Sequence, residues 1–144
     1  LNVQIKKLLM SKLRSTSSIL VHGPVGCGKT SLVANIAIES KIPFIKLINP
    51  KCLIQYSTEQ SKIFKISSII YEAQKSPESL IIFDDIESLI EFVPIGPRFS
   101  NGILQLIKNV SHGFTNINKF IVICINAIIL FKLNKPWNIR LFKW

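Results

Sequence analysis

Apolar and polar residues alternate along this chain in two different periods, and the switches between them mark its elements. Leu1, Ile5, Leu8, Leu9 and Leu13 share one helical face, with Lys6, Lys7 and Lys12 off it. A polar break at Arg14–Ser18 precedes the short apolar run Ile19–His22, a first strand. Thr30–Ser40 follows as a helix with Leu32, Val33, Ile36 and Ala37 on its inner face, stopped by Ile42-Pro43. Phe44–Ile48 reads as a second strand, Asn49-Pro50-Lys51 as a turn, and 52–57 as a loop with Ile54 and Tyr56 near its tip. Thr58 is the expected cap of an amphipathic helix carrying Ile63, Phe64, Ile66, Ile69, Ile70 and Ala73 and ending near Lys75-Ser76-Pro77. Leu80-Ile81-Ile82-Phe83 has the length and flanks of a central parallel strand buried on both faces. A short helix over Ile86–Phe92 is expected next. Val93–Ser100, with two prolines and a glycine, cannot be regular helix. Asn101 is the expected cap of a helix through about His112, with Ile103, Leu104, Ile107 and Val110 inward. Gly113–Asn118 reads as a loop and Phe120–Ile125 as a fourth strand, with Asn126 at its carboxyl end. Residues 127–144 show no usable period.

Strands alternating with helices in this way predict an α/β fold: a parallel sheet of four recognisable strands, flanked by helices and joined by right-handed crossovers. The 144 residues suffice for one domain with a sizeable core.

Composition changes this picture little. The formal charge of +10 invites a nucleic-acid or anionic-membrane reading. The basic residues are scattered, however, and base-reading motifs with interleaved aromatics are missing, so no nucleic-acid partner is expected. All eight acids fall between Glu39 and Glu91, against six bases there, while both ends carry basic residues only. That asymmetry suits a solvated surface whose acidic counterpart lies in a partner or in another part of the protein. Cys27, Cys52 and Cys124 are odd in number and widely spaced, which fits reduced intracellular thiols better than disulfides or a zinc site. No signal-peptide pattern opens the chain, and the longest apolar run, Phe120–Phe131, is short of a membrane span.

The chemistry lies in two motifs. Gly23-Pro24-Val25-Gly26-Cys27-Gly28-Lys29-Thr30 fits the phosphate-loop pattern G-x-x-x-x-G-K-[ST], between an apolar strand and a helix that begins with Ser31 beyond it. Glycines let successive N–H groups turn inward around a phosphate, and the helix dipole points to the same place. Lys29 is expected on the β- and γ-phosphates of a nucleotide and the Thr30 hydroxyl on Mg²⁺. The second motif is the apolar strand ending in Asp84-Asp85. Asp84 is the candidate Mg²⁺ holder, directly or through water. Asp85 stands where a second acid polarises the attacking water. It is one methylene shorter than the Glu common in hydrolytic relatives, and a misplacement of about 1 Å can lower a rate on the order of a hundredfold. Nucleotide binding is thus better supported than fast turnover.

Other positions keep two readings. Asn126 either reaches the γ-phosphate or attacking water or is a loop residue. Glu87 is an alternative acid or a solvated helix residue. Cys27 is a reactive thiol at a helix N-terminus or a small loop residue. Arg98 contacts a neighbouring subunit or only solvent, and Tyr56 faces a partner or is a strand-edge aromatic. His22 and His112 read as structural.

Gly23–Ser31, Leu80–Glu87 and Asn126 resemble the AAA+ ATPases. Asp84-Asp85-Ile86-Glu87 followed by Val93–Asn101 is similar, more narrowly, to the second ATPase domain of the vesicle-fusing ATPases, the N-ethylmaleimide-sensitive factor family. The resemblance covers about residues 1–126. It implies the large subdomain of a phosphate-loop NTPase, binding ATP and Mg²⁺ through Gly23–Ser31 and Asp84. It further implies a hexameric, cytoplasmic machine, peripheral to vesicle and Golgi membranes, that disassembles SNARE complexes with a SNAP adaptor through domains not present here. In that family the second ATPase domain mainly binds ATP to hold the hexamer together, in keeping with the short Asp85. Tyr56 would occupy the pore-loop position, without the aromatic-Val-Gly pattern of threading domains.

Gly26-Cys27 is closer to the phosphate loop of the family's first ATPase domain. A fifth strand, an arginine-finger region and a helical lid are not legible after Asn126. The expected organisation is therefore a nucleotide-binding core over 1–126, a divergent tail over 127–144, and no lid. An ATP-binding oligomerisation module without hydrolysis, or a DNA-replication loader of the same superfamily, are the alternative functions.

Overall fold

In the computed structural model, residues 16–93, 100–112, 119–126 and 139–143 are described. Among them lie strands β1 (Thr16–His22), β2 (Phe44–Ile48), β3 (Glu78–Phe83), β4 (Lys119–Asn126) and β5 (Ile139–Lys143). The helices are α1 (Lys29–Ser40), α2 (Glu59–Gln74), α3 (Ile86–Leu89) and α4 (Asn101–His112), with a single 3-10 turn at Pro50–Leu53. The strands form one sheet in the order β2-β3-β4-β1-β5. Every pairing in it is parallel. The phosphate-loop strand β1 therefore sits between β4 and β5, and the acid-bearing strand β3 between β2 and β4.

The inner strands are buried on both sides, which is why they read as continuous apolar runs. Successive side chains point to opposite faces, and two cores result. On one face Ile66, Ile69, Ile70 and Ala73 of α2 and Ile103, Ile107 and Val110 of α4 pack on Leu20, Ile81, Phe83, Phe120, Val122 and Cys124. On the other, Val33, Ile36 and Ala37 of α1, with Ile42, pack on Ile19, Val21, Leu80, Ile82, Ile121, Ile123 and Ile125. Burial pushes the Cys124 thiol up to about 12, because the loss of water penalises the charged thiolate.

Four boundaries differ from the sequence pattern. β1 begins at Thr16, inside the stretch taken as a polar break. Ser18 is buried there because its hydroxyl donates to the Ser111 carbonyl of α4 at 2.6 Å. α3 is a single turn, shorter than the expected helix to Phe92. The α4 cap is Ser100 rather than Asn101: its Oγ accepts from Ile103 N at 3.3 Å and its carbonyl from Leu104 N at 3.2 Å. Last, within residues 127–144, which show no usable period, β5 adds a fifth strand, paired with β1 from Ser18↔Ile139 to His22↔Lys143. The Thr58 cap of α2 is present, reciprocated by Ser61 in a capping box. The helical stripe at 1–13, the loop at 113–118 and Arg98 lie outside the described residues.

Candidate functional site

The carboxyl ends of β1, β3 and β4 meet at one edge, where ligands bind in open parallel sheets. From β1 the chain turns through Gly23–Gly28 into α1. Gly26 and Gly28 have φ of 79° and 86°, a left-handed backbone that side chains with a Cβ disfavour. Gly28 is the N-cap of α1 and uses no side chain for the purpose, so the first-turn N–H groups of a 12-residue helix are left for a ligand. Pro24, Val25 and Gly26 are exposed at the rim, and Ser31 is exposed in the first turn.

Lys29 is the first residue of α1 and is buried (8% exposed). Its Nζ donates to Gly23 O at 2.9 Å and Pro24 O at 2.7 Å, and lies 3.7 Å from Cys27 Sγ. The ammonium thus rests within the loop on two carbonyls. Thr30 Oγ1 lies 3.2 Å from both carboxylate oxygens of Asp84, a residue 54 positions away in sequence. The topology creates this contact, because β3 is one strand removed from β1 and Asp84 follows its last residue. The backbone there is fixed by Asp84 N donating to Ile48 O at 2.9 Å.

Asp85 has φ 54° and ψ 56°, left-handed although it is not glycine. Its carbonyl accepts from Ser88 N and Leu89 N, both at 3.1 Å, which starts α3, and its side chain is exposed. Glu87 is buried rather than solvated. Asn126 pairs in register with His22, the residue directly before the phosphate loop, so its backbone stands at the same edge. His22 is itself half-buried, and among the described residues its buried Nδ1 has no hydrogen-bond partner. Tyr56 is half-buried against the α2-side core, so the exposed apolar residue of that loop is Ile54, at 78%.

A hydroxyl and a carboxylate side by side form the hard-oxygen pair that Mg²⁺ prefers, and Mg²⁺ commonly completes its shell with water and nucleotide phosphates. Among the described residues no cluster of three or more His, Cys, Asp or Glu could cage a metal unaided, so the donor set fits an ion shared with a phosphate. A cavity of about 200 Å³ runs from Thr30 along α1 to Ile38, Ile45 and Leu47. Its walls are apolar, and it suits neither the phosphates nor the ion.

A strand–phosphate loop–helix unit with an acid-ended strand one strand removed in the sheet defines a phosphate-loop nucleotide-binding domain. The model of the ATPase family associated with various cellular activities (AAA) matches residues 19–140, and the chain belongs to that family. It is 50% identical over 91 residues to the vesicular-fusion protein SEC18 of Saccharomyces cerevisiae, which covers 63% of this chain and 12% of the yeast protein. It is 44% identical over 104 residues to the vesicle-fusing ATPase of Dictyostelium discoideum (72% of this chain, 14% of that protein). To the vesicle-fusing ATPase of Arabidopsis thaliana it is 43% identical over 101 residues (70% and 14%). The chain thus spans only 12–14% of the length of these relatives.

Proposed function

We propose that this chain is an ATP-binding domain of a vesicle-fusing ATPase. Mg-ATP lies across the phosphate loop, with the N–H groups of Gly26–Ser31 on its phosphates. Lys29 exchanges the Gly23 and Pro24 carbonyls for the β- and γ-phosphates. Thr30 and Asp84 hold Mg²⁺, which neutralises phosphate charge when bound. Asp85 orients the attacking water, and Asn126 stands by the γ-phosphate. The observation that carries this reading is the Thr30 hydroxyl at 3.2 Å from both Asp84 oxygens, next to a lysine seated in the loop.

Within the intact protein, ATP binding supports hexamer assembly, and the assembled machine takes SNARE complexes apart with a SNAP adaptor at vesicle and Golgi membranes, working from the cytoplasm. Among the described residues no helix is long and apolar enough to cross a membrane. Hydrolysis is slow, because the Asp85 carboxylate is short. Steady-state phosphate release tests this step against a Lys29→Ala control. A low rate above that control is expected. ATP binding without excess turnover would leave the second reading, an oligomerisation module that holds ATP without cleaving it.

A further inference from the structure

The one-turn helix α3 is bounded by two left-handed residues with a Cβ, Asp85 before it and Glu91 just after it, each with φ 54°. Such backbone is disfavoured and persists only where its surroundings hold it. Asp85 is the acid assigned to the attacking water, so what holds α3 bears on catalysis.

The exit of α3 is capped locally, Phe92 N donating to Glu87 O at 2.9 Å and Glu91 N to Ser88 O at 3.2 Å, and is gripped from outside by the first turn of α2. Lys62 Nζ pairs with Glu91 Oε1 at 2.5 Å. One turn earlier, Glu59 accepts from Gly102 N at 3.0 Å and from the Ser100 hydroxyl. Those two bonds, the Ser100 hydroxyl first and the Gly102 N–H second, hold the Glu59 carboxyl below its usual range. Ser100 joins the two grips, because its N–H also donates to Ile90 O at 2.6 Å. Position 102 is glycine at a close approach: a Cβ there would lie 2.8 Å from Glu59 Oε1 and 2.7 Å from Ile63 Cδ1. Two charged side chains on α2 therefore clasp the exit of α3 and the entry of α4.

We infer that Glu59 and Lys62 are positioning residues for Asp85: by clasping Glu91, Ser100 and Gly102 they keep α3 a single turn and Asp85 in its left-handed backbone. The inference rests on the reading of Asp85 as the water-orienting acid.

The test uses the 144-residue chain with Lys62→Met, which keeps the aliphatic stem, and with the swap Lys62→Glu/Glu91→Lys. In Lys62→Met, amide exchange at Ser88 and Leu89 should accelerate about threefold to fivefold relative to β3, the range expected for an exposed ion pair. ATP affinity should stay within about twofold while kcat falls about twofold to fivefold, no more than the clasp itself contributes. The swap should recover most of both effects. Unchanged exchange at Ser88 and Leu89 overturns the inference, as does a parallel loss of ATP binding, stability and turnover that the swap does not repair. Should the unaltered chain show no turnover above Lys29→Ala, the hydrolysis reading fails by itself. The exchange arm then decides the clasp alone: faster in Lys62→Met and restored by the swap upholds it, and unchanged exchange refutes it.

Discussion

Lys29→Ala sets three opposed effects against each other. Removing the ammonium deletes its bonds to Gly23 O and Pro24 O, at 2.9 and 2.7 Å. A hydrogen bond to a charged group is worth about 1.5–3 kcal/mol, but Pro24 is exposed and its carbonyl regains water, so only the buried Gly23 bond counts fully. Against this, a cation on the first residue of a helix opposes the dipole by about 0.3–1 kcal/mol, and its removal relieves that. The removal also relieves the cost of burying the ammonium. The nucleotide-free variant should thus be less stable by about 1 kcal/mol, a fall in Tm of about 4 °C for a domain of this size. Saturation with Mg-ATP at about one hundred times Kd should stabilise the unaltered chain by about 2.7 kcal/mol, or about 10 °C. The variant should gain almost nothing. Thermal unfolding followed by far-ultraviolet circular dichroism, with and without Mg-ATP, reads both numbers. An equal ligand-induced shift in both proteins would refute the phosphate role of Lys29. A variant more stable than the parent without nucleotide would refute the stabilising grip on the loop carbonyls.

Ile66→Ala, at a fully buried position of α2, should cost about 2–5 kcal/mol in denaturant unfolding without changing ATP affinity once the protein is folded. Maleimide labelling with mass analysis should modify exposed Cys52 quickly and Cys27 more slowly, with Mg-ATP protecting Cys27, while buried Cys124 reacts only on unfolding. Because the folded pKa of Cys124 is about 12 against an ordinary 9.0, the unfolded chain loses this proton first, so stability should fall as pH rises above about 9, and Cys124→Ala should flatten that limb. Glu59 has the opposite sign. Its folded pKa lies below 4.5, so its contribution is present above that pH and is lost as pH falls through the folded value, and Glu59→Gln should remove this dependence.

The parts of the site that could be read in the sequence are those that local chemistry encodes. Gly26, Gly28, Lys29 and Thr30 specify their own turn and helix start, and Leu80–Phe83 announces a central strand ending in acids. Their meeting was inferable because the carboxyl ends of parallel strands lie along one edge of such a sheet. What escaped depends on partners distant in sequence. β5 is an edge strand without clean alternation, and only its pairing with β1 defines it. Ser18 looked like a break because its acceptor, the Ser111 carbonyl, lies 93 residues away. Ser100 and Asn101 are equally good caps on paper, and the Glu59 and Ile90 contacts decide for Ser100. Tyr56 drew attention as a loop aromatic, but the α2-side core takes it in and leaves Ile54 outward. Nothing local distinguishes Glu59 from an ordinary first-turn acid of α2. Its bonds to the start of α4 come from tertiary packing alone.

Everything else about the site depends on Thr30 and Asp84 holding Mg²⁺ at a nucleotide-binding loop. Calorimetric titration of ATP into the chain, with and without Mg²⁺ and in parallel for Asp84→Asn, tests this. Saturable one-to-one binding that Mg²⁺ strengthens is expected, with the strengthening cut about tenfold or more in Asp84→Asn. No binding, or binding of equal strength with and without Mg²⁺ in both proteins, would contradict it.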